Sequence, residues 1–222
     1  MIDSRVPTEA EWARQRREMV ELLKRYGIQD TRVLAAMAKV RRHAFIPVSH
    51  LQHGTAYGDH PLEIGYEQTI SQPYIVAHMT EMLALQAGEK MLEIGAGSGY
   101  QAAVLAELGA RVFTMEVVPE LADHARGVLA QEGYDRSVRV LTGDGYKGWP
   151  EEQPFDAVIV TCAPENVPPA LVKQLREGGR MVAPVGAWMN QRLVILRKRN
   201  GKIEKTDDVS VWFVPMVKGR AR

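Results

Sequence analysis

The residues with the clearest chemical spacing form one run, Glu93-Ile94-Gly95-Ala96-Gly97-Ser98-Gly99. The stretch 90–94 before the first glycine is apolar enough for a buried parallel strand. Helical periodicity starts just after the last glycine, with Ala102, Ala103, Leu105, Ala106 and Leu108 able to share a broad buried face. A glycine turn between a strand and a helix N-terminus leaves backbone N–H groups open to a ligand. A second acid, Glu116, closes the next apolar run, 111–116, and stands 21 residues after Gly95. That is near the offset at which a carboxylate accepts both hydroxyls of a ribose. A third acid, Asp144, lies between Gly143 and Gly145 behind the apolar run 138–141. There it can meet the amino group of an adenine, although Gly-Asp-Gly is also an ordinary turn.

The three sites together describe a nucleoside-type pocket built in the Rossmann manner. The glycine spacing is G-x-G-x-G, not the G-x-G-x-x-G of dinucleotide enzymes, which disfavours a dehydrogenase. With Glu93 two residues before the first glycine, the run resembles the first motif of class I S-adenosylmethionine-dependent methyltransferases.

The elements that must position these residues can be read along the chain. The chain has 222 residues, 45% of them hydrophobic, which suits one α/β domain with a full core. Lys plus Arg is 28 and Asp plus Glu is 27, so the charge balance offers no general attraction to nucleic acid or to a membrane surface. One cysteine excludes an intramolecular disulfide, and with no signal-type run or membrane-length apolar stretch, a cytoplasmic location is expected.

Thr8 and Glu11 form a capping box for a first helix with Trp12, Met19, Leu22, Leu23 and Tyr26 on one side, stopped by Gly27. Asp30 caps a second helix with Val33, Leu34 and Met37 inward, and Arg14, Arg16 and Arg17 read as a solvated face among glutamates. Residues 41–72 have no clear period. Their histidines (His43, His50, His53, His60) lack the spacing of a metal site. Ser71 stands where a helix running to Leu85 should begin, with Pro73 in its first turn, and is expected to be its N-cap.

Further helices are expected over 119–132 and 167–175, the latter ended by Gly178-Gly179. Strands are expected over 155–161, 181–185, 192–199 and 209–217, with a turn at Asn200-Gly201. Cys162, at the end of the apolar strand 155–161, is expected to be a buried, inert thiol. Residues 218–222 read as a solvated tail. This pattern predicts a doubly wound, Rossmann-like α/β fold with N-terminal helices and a C-terminal β-meander. Residues 1–85 would form the helical, substrate-facing part and residues 86–217 the core.

Beyond these patterns, the chain from about Arg32 to Val217 resembles the protein-L-isoaspartate (D-aspartate) O-methyltransferase family. The most specific stretch is Gln68-Thr69-Ile70-Ser71-Gln72-Pro73. Gly143-Asp144-Gly145, residues 155–164, Glu177-Gly178-Gly179-Arg180 and Phe213-Val214-Pro215-Met216 support it. The resemblance implies that Ser71 is the active-site residue and that Gln68, Thr69 and Ile70 cover the cofactor, S-adenosylmethionine. It implies cofactor contacts from Ser71 as well, and from Glu93, Gly95, Gly97, Ser98, Gly99, Glu116, Asp144 and Gly145. The implied substrates are isoaspartyl-containing proteins and peptides, with D-aspartyl residues as a further acceptor; the enzyme is expected to be a monomer that binds neither nucleic acid nor membrane. Three positions depart from the family pattern: Val40-Arg41-Arg42 lacks a usual proline, and Glu67 and Trp212 stand where Gly and Arg are frequent. Two rival readings are a methyltransferase for another acceptor and a cofactor-binding scaffold without catalysis.

Overall fold

The computed structural model describes residues 6–51 and 56–219. His53 and the end of the tail from Arg220 therefore lie outside the described residues. Helix α1 (Glu9–Arg25) opens with the expected capping box, in which the Thr8 backbone N–H donates to Glu11 Oε2 at 2.8 Å. Its buried face is Trp12, Met19, Val20 and Leu23. Tyr26 falls beyond the last helical turn and stays exposed, its ring edge-on to Tyr74, so it does not join that face as expected. Helix α2 (Thr31–Lys39) is capped by Asp30 and buries Val33, Leu34 and Met37.

The unpatterned stretch holds short elements. Two 3-10 turns (Arg42–Phe45 and Val48–His50) precede a hairpin of β1 (Leu62–Gly65) and β2 (Gln68–Ile70). Such elements are too short to show a period. Helix α3 (Pro73–Leu83) follows. It stops at Ala84, in the left-handed region at φ 47°, rather than running on to Leu85.

A seven-stranded sheet organises the rest. Its strands are β3 (Lys90–Ile94), β4 (Arg111–Glu116), β5 (Val138–Thr142), β6 (Phe155–Val160), β7 (Leu175–Val185), β8 (Gln191–Arg199) and β9 (Lys202–Val211), in the order β5-β4-β3-β6-β7-β8-β9. Pairing is parallel from β5 through β7 and antiparallel for β8 and β9. Helices α4 (Tyr100–Glu107), α5 (Pro119–Gln131) and α6 (Pro169–Gln174) fill the crossovers. Strand residues alternate between faces. Met91 joins a core shared with α1 to α5, while Leu92 and Ile94 join a second core with Trp149, Phe155 and Leu171. The chain winds outward from β3 through β4 to β5, then returns to β6 on the other side of β3. That switch point, at the C-terminal strand ends, is where such sheets open a crevice.

Two strand boundaries differ from expectation. β7 begins at Leu175, six residues early, with Gly178 and Gly179 inside it. An added Cβ at Gly179 would lie 2.9 Å from Arg176 O, and the β6–β7 register shifts between Phe155 and Ala157. The glycines therefore serve a bulge instead of ending a helix. β9 covers Lys202–Val211 instead of 209–217. As the sheet's edge it is exposed on both faces over most of its length, so it shows no hydrophobic alternation. Residues 212–217 leave the sheet, held to it by a bridge between Ala163 and Pro215.

Candidate active site

The crevice at the switch point is a cavity of about 800 Å³. Gly95, Gly97 and Gly99 adopt φ of 98°, 51° and 90°, the left-handed region that glycine enters without steric cost. At Gly95 a Cβ would collide with Thr161 Oγ1, and at Gly145 one would collide with Ile94 Cγ2. Both positions thus require glycine so that neighbouring strand ends can close up. The Thr161 hydroxyl lies 2.9 Å from Ile94 O and 2.6 Å from Gly95 O, tying the end of β6 to the glycine turn. Ser98 is buried in the cavity wall, and its hydroxyl accepts from Tyr100 N at 3.3 Å.

Glu116 lines the cavity at the end of β4 and is 6% exposed. Its Oε2 accepts from Gly97 N at 2.8 Å, and its Oε1 accepts from Val117 N and Val118 N at 2.9 and 3.0 Å. The carboxylate therefore braces the glycine turn as well as facing the cavity. Gln68, Thr69 and Ile70 lie on strand β2, along one wall of the cavity.

The other two acids stand differently. Gly143 and Gly145 line the cavity, but Asp144 does not; its Oδ1 accepts from Tyr146 N at 3.0 Å and starts a 3-10 turn. Glu93 is also off the cavity wall. It points into the core on the Met91 face of β3, fully buried, with neither oxygen hydrogen-bonded within the described residues. Burial pushes its pKa up to about 8, against the pull of the neighbouring Thr114 hydroxyl and with a smaller push from the charge of Glu116. At neutral pH the carboxyl is thus largely protonated.

Ser71 is not the N-cap. That position belongs to Gln72, whose side chain makes no cap bond. Pro73 has no N–H to offer, so Tyr74 N is the first donor of α3, and Asp59 Oδ1 takes it at 2.8 Å. Asp59 Oδ2 accepts from Gln72 Nε2 at 2.8 Å. The Ser71 hydroxyl has no hydrogen-bond partner among the described residues. Ser71 also borders a second cavity, a groove of about 470 Å³ between the start of α3 and residues 210–214. Thr69, Ser71, Thr161 and Val214 line both cavities, so the two meet across these side chains.

Several residues here carry no pattern a sequence displays. Asp59 and Thr161 act through contacts remote in the chain. Arg42 is fully buried and donates from Nε to Ala56 O at 2.8 Å and from Nη2 to His60 O at 3.4 Å, pinning both ends of the segment that bears Asp59. Its guanidinium lies 5.1 Å from the centroid of the Tyr100 ring, which borders the large cavity. Burial lowers its pKa to about 10, so it stays charged at neutral pH. Cys162 is half-buried and lines the cavity, where full burial was expected; desolvation pushes its thiol up to about 12, as suits an inert group. His43 stacks on Trp12, with ring centroids 4.9 Å apart, and its Nδ1 is 2.8 Å from the Tyr57 hydroxyl. Among the described residues no group of three or more His, Cys, Asp or Glu is placed to hold a metal ion. None of the described helices is long and apolar enough to cross a membrane.

Comparison with known proteins adds relatives to this geometry. The family model described as protein-L-isoaspartate(D-aspartate) O-methyltransferase matches residues 14–221. A protein-L-isoaspartate O-methyltransferase of Gloeobacter violaceus is 52% identical over 199 residues, covering 89% of this chain and 96% of the relative. One of Methanoculleus marisnigri is 51% identical over 205 residues, covering 92% of each. Among solved structures, a protein-L-isoaspartate O-methyltransferase superposes with a TM-score of 0.80 at 28% identity, over 90% of this chain and 65% of that one. A Plasmodium falciparum protein, described as a putative protein-L-isoaspartate O-methyltransferase in complex with S-adenosyl-L-homocysteine, has a TM-score of 0.78 at 26% identity, over 91% of this chain and 98% of its own.

Proposed function

Because the chain belongs to the protein-L-isoaspartate(D-aspartate) O-methyltransferase family, we propose a division of labour among its residues from that premise. The enzyme transfers a methyl group from S-adenosylmethionine to the free α-carboxylate of L-isoaspartyl residues in damaged proteins and peptides. S-adenosylmethionine supplies the methyl on a sulfonium sulfur. The large cavity suits it: its volume is within the range of small-molecule sites, and two glycines there leave no room for a Cβ. The backbone from Gly95 to Gly99, with Ser98, would hold the cofactor. Glu116 would receive the ribose hydroxyls, Gly143 and Gly145 would face the adenine with Asp144 setting their turn, and Gln68, Thr69 and Ile70 would cover it. Glu93 would act from behind the turn rather than by contact.

The second groove is the acceptor side in this reading. An isoaspartyl residue carries a free α-carboxylate that is ionised at neutral pH, so no general base is needed. Attack by an anion on a cation yields neutral products, and a dry site favours that loss of charge. Tight pairing with a cation would make the carboxylate a poorer nucleophile. The α3 N-terminus, an attractive place for an anion, is already taken by Asp59. Ser71 then orients the incoming carboxylate with a single hydroxyl donor. The observation that carries this assignment is that Ser71 borders both cavities.

D-aspartyl residues are a further acceptor class in this reading, and the enzyme works as one domain, as a monomer in the cytoplasm, on protein and not nucleic acid. The near-equal charge, 28 basic against 27 acidic residues, supports the last point. The experiment uses methyl-labelled S-adenosylmethionine and two peptides that differ only in an isoaspartyl or aspartyl linkage. Base-labile label on the isoaspartyl peptide alone is expected. Cofactor binding with label on neither would leave a scaffold or another acceptor.

A further inference from the structure

We propose that Asp59 is a positioning residue for methyl transfer: it caps helix α3 in place of Ser71 and so leaves the serine hydroxyl free for the acceptor carboxylate. The inference rests on the proposed role of Ser71. A serine three residues before an unsatisfied helical N–H readily accepts from it, as the common capping motifs show. Ser71 stands three residues before Tyr74, whose N–H is the first donor of α3 because Pro73 has none. Left alone, the hydroxyl would turn back onto Tyr74 N and spend an acceptor lone pair and its orientation there.

Asp59 prevents this from outside the helix. Its Oδ1 takes Tyr74 N at 2.8 Å, and its Oδ2 takes Gln72 Nε2 at 2.8 Å, so both carboxylate oxygens are held. The segment carrying Asp59 is held in turn by buried Arg42, through Ala56 O and His60 O. The cap therefore comes from a braced loop, and Ser71 remains without a partner among the described residues. Beside the two cavities the result is a hydroxyl whose lone pairs and orientation the Tyr74 N–H does not claim, free to turn its hydrogen toward the acceptor.

The test is a double-mutant cycle on the full-length enzyme, with kcat on an isoaspartyl peptide and the cofactor Kd as readouts. D59A is expected to lower kcat about as far as S71A does, with the cofactor Kd unchanged, and the D59A/S71A double variant should be no slower than S71A alone. D59N, which keeps an acceptor for Tyr74 N, should retain kcat within about 3-fold of wild type. Effects that multiply in the double variant, or a D59N enzyme as slow as D59A, would overturn the proposal, since Asp59 would then act independently of Ser71 or through its charge alone.

A second readout needs no kinetics. The Tyr74 amide proton resonance should move in D59A and stay near its wild-type position in S71A, and a Tyr74 amide indifferent to D59A would overturn the cap. If S71A keeps full turnover, the assigned role of Ser71 fails, whereas the Tyr74 resonance still reports whether Asp59 is the cap.

Discussion

Ser71 and Thr161 stand on the same wall between two cavities, yet only one of their hydroxyls is engaged. Thr161 Oγ1 lies 2.6 Å from Gly95 O, while Ser71 has no hydrogen-bond partner among the described residues. The two should respond differently to removal. Ser71→Ala is expected to lower kcat roughly 10- to 100-fold, the scale of one oriented hydrogen bond, with little change in cofactor Kd. Thr161→Val should instead weaken cofactor binding, because it removes the hydroxyl tie to Gly95 O and loosens the glycine turn. Steady-state kinetics with calorimetric titration separates the outcomes, and full turnover in Ser71→Ala would remove Ser71 from the chemistry.

Glu116 is both a wall of the cavity and an acceptor for three backbone N–H groups, those of Gly97, Val117 and Val118. Glu116→Ala should therefore raise the cofactor Kd and lower the melting temperature together. Glu116→Gln, which retains an acceptor oxygen but exchanges the other for an NH₂, should fall between. An unchanged Kd in Glu116→Ala, measured by calorimetry, would take Glu116 out of the cofactor site.

Glu93 ties pH to stability. Its carboxyl is protonated in the fold up to about pH 8 but ionises from the ordinary value of 4.5 once unfolded. Between those limits the unfolded chain binds fewer protons than the native one, so this group's contribution falls as pH rises and levels off above about 8. The slope is about 1.4 kcal/mol per pH unit at most. Glu93→Gln removes that loss. Denaturant unfolding should show the variant gaining on wild type from pH 5 to pH 8, and parallel profiles would contradict a neutral buried carboxyl.

Cys162 should resist thiol reagents. With its pKa pushed up to about 12, only about one thiol in ten thousand is ionised at pH 8. Labelling of the native enzyme with a disulfide reagent should be much slower than labelling of the unfolded chain. Equal rates would show that the thiolate forms readily in the cavity wall.

What could be read from the sequence was local. The glycine turn, the strand before it and Glu116 announced themselves because glycine at alternate positions and an acid after a strand have few other uses. The capping box at Thr8 and Glu11 and the turn at Asn200-Gly201 were legible for the same reason. Ser71 was placed one residue wrong as a cap because the competing acceptor, Asp59, lies 12 residues earlier and acts across a loop. Arg42 looks like a surface residue in sequence, and only the fold shows it buried against Tyr100. Glu67 adopts φ 58° in the β1–β2 turn, a conformation glycine enters more easily, which gives a reason for Gly at that place in the family pattern. Strand β9 was misread because a strand exposed on both faces carries no alternation to detect.

That same strand has a consequence for the company the enzyme keeps. β9 ends the sheet with an open ladder of backbone donors and acceptors, the kind of rim onto which a stray chain can zip. Proteins with damaged linkages are often partly loosened and offer such chains. Along the rim stand Lys202, Glu204, Lys205, Asp207 and Asp208, mostly exposed, so a second strand would have to desolvate charge at five of the ten positions of β9. Charge placed along an edge in this way is the device by which natural sheets discourage edge-to-edge pairing.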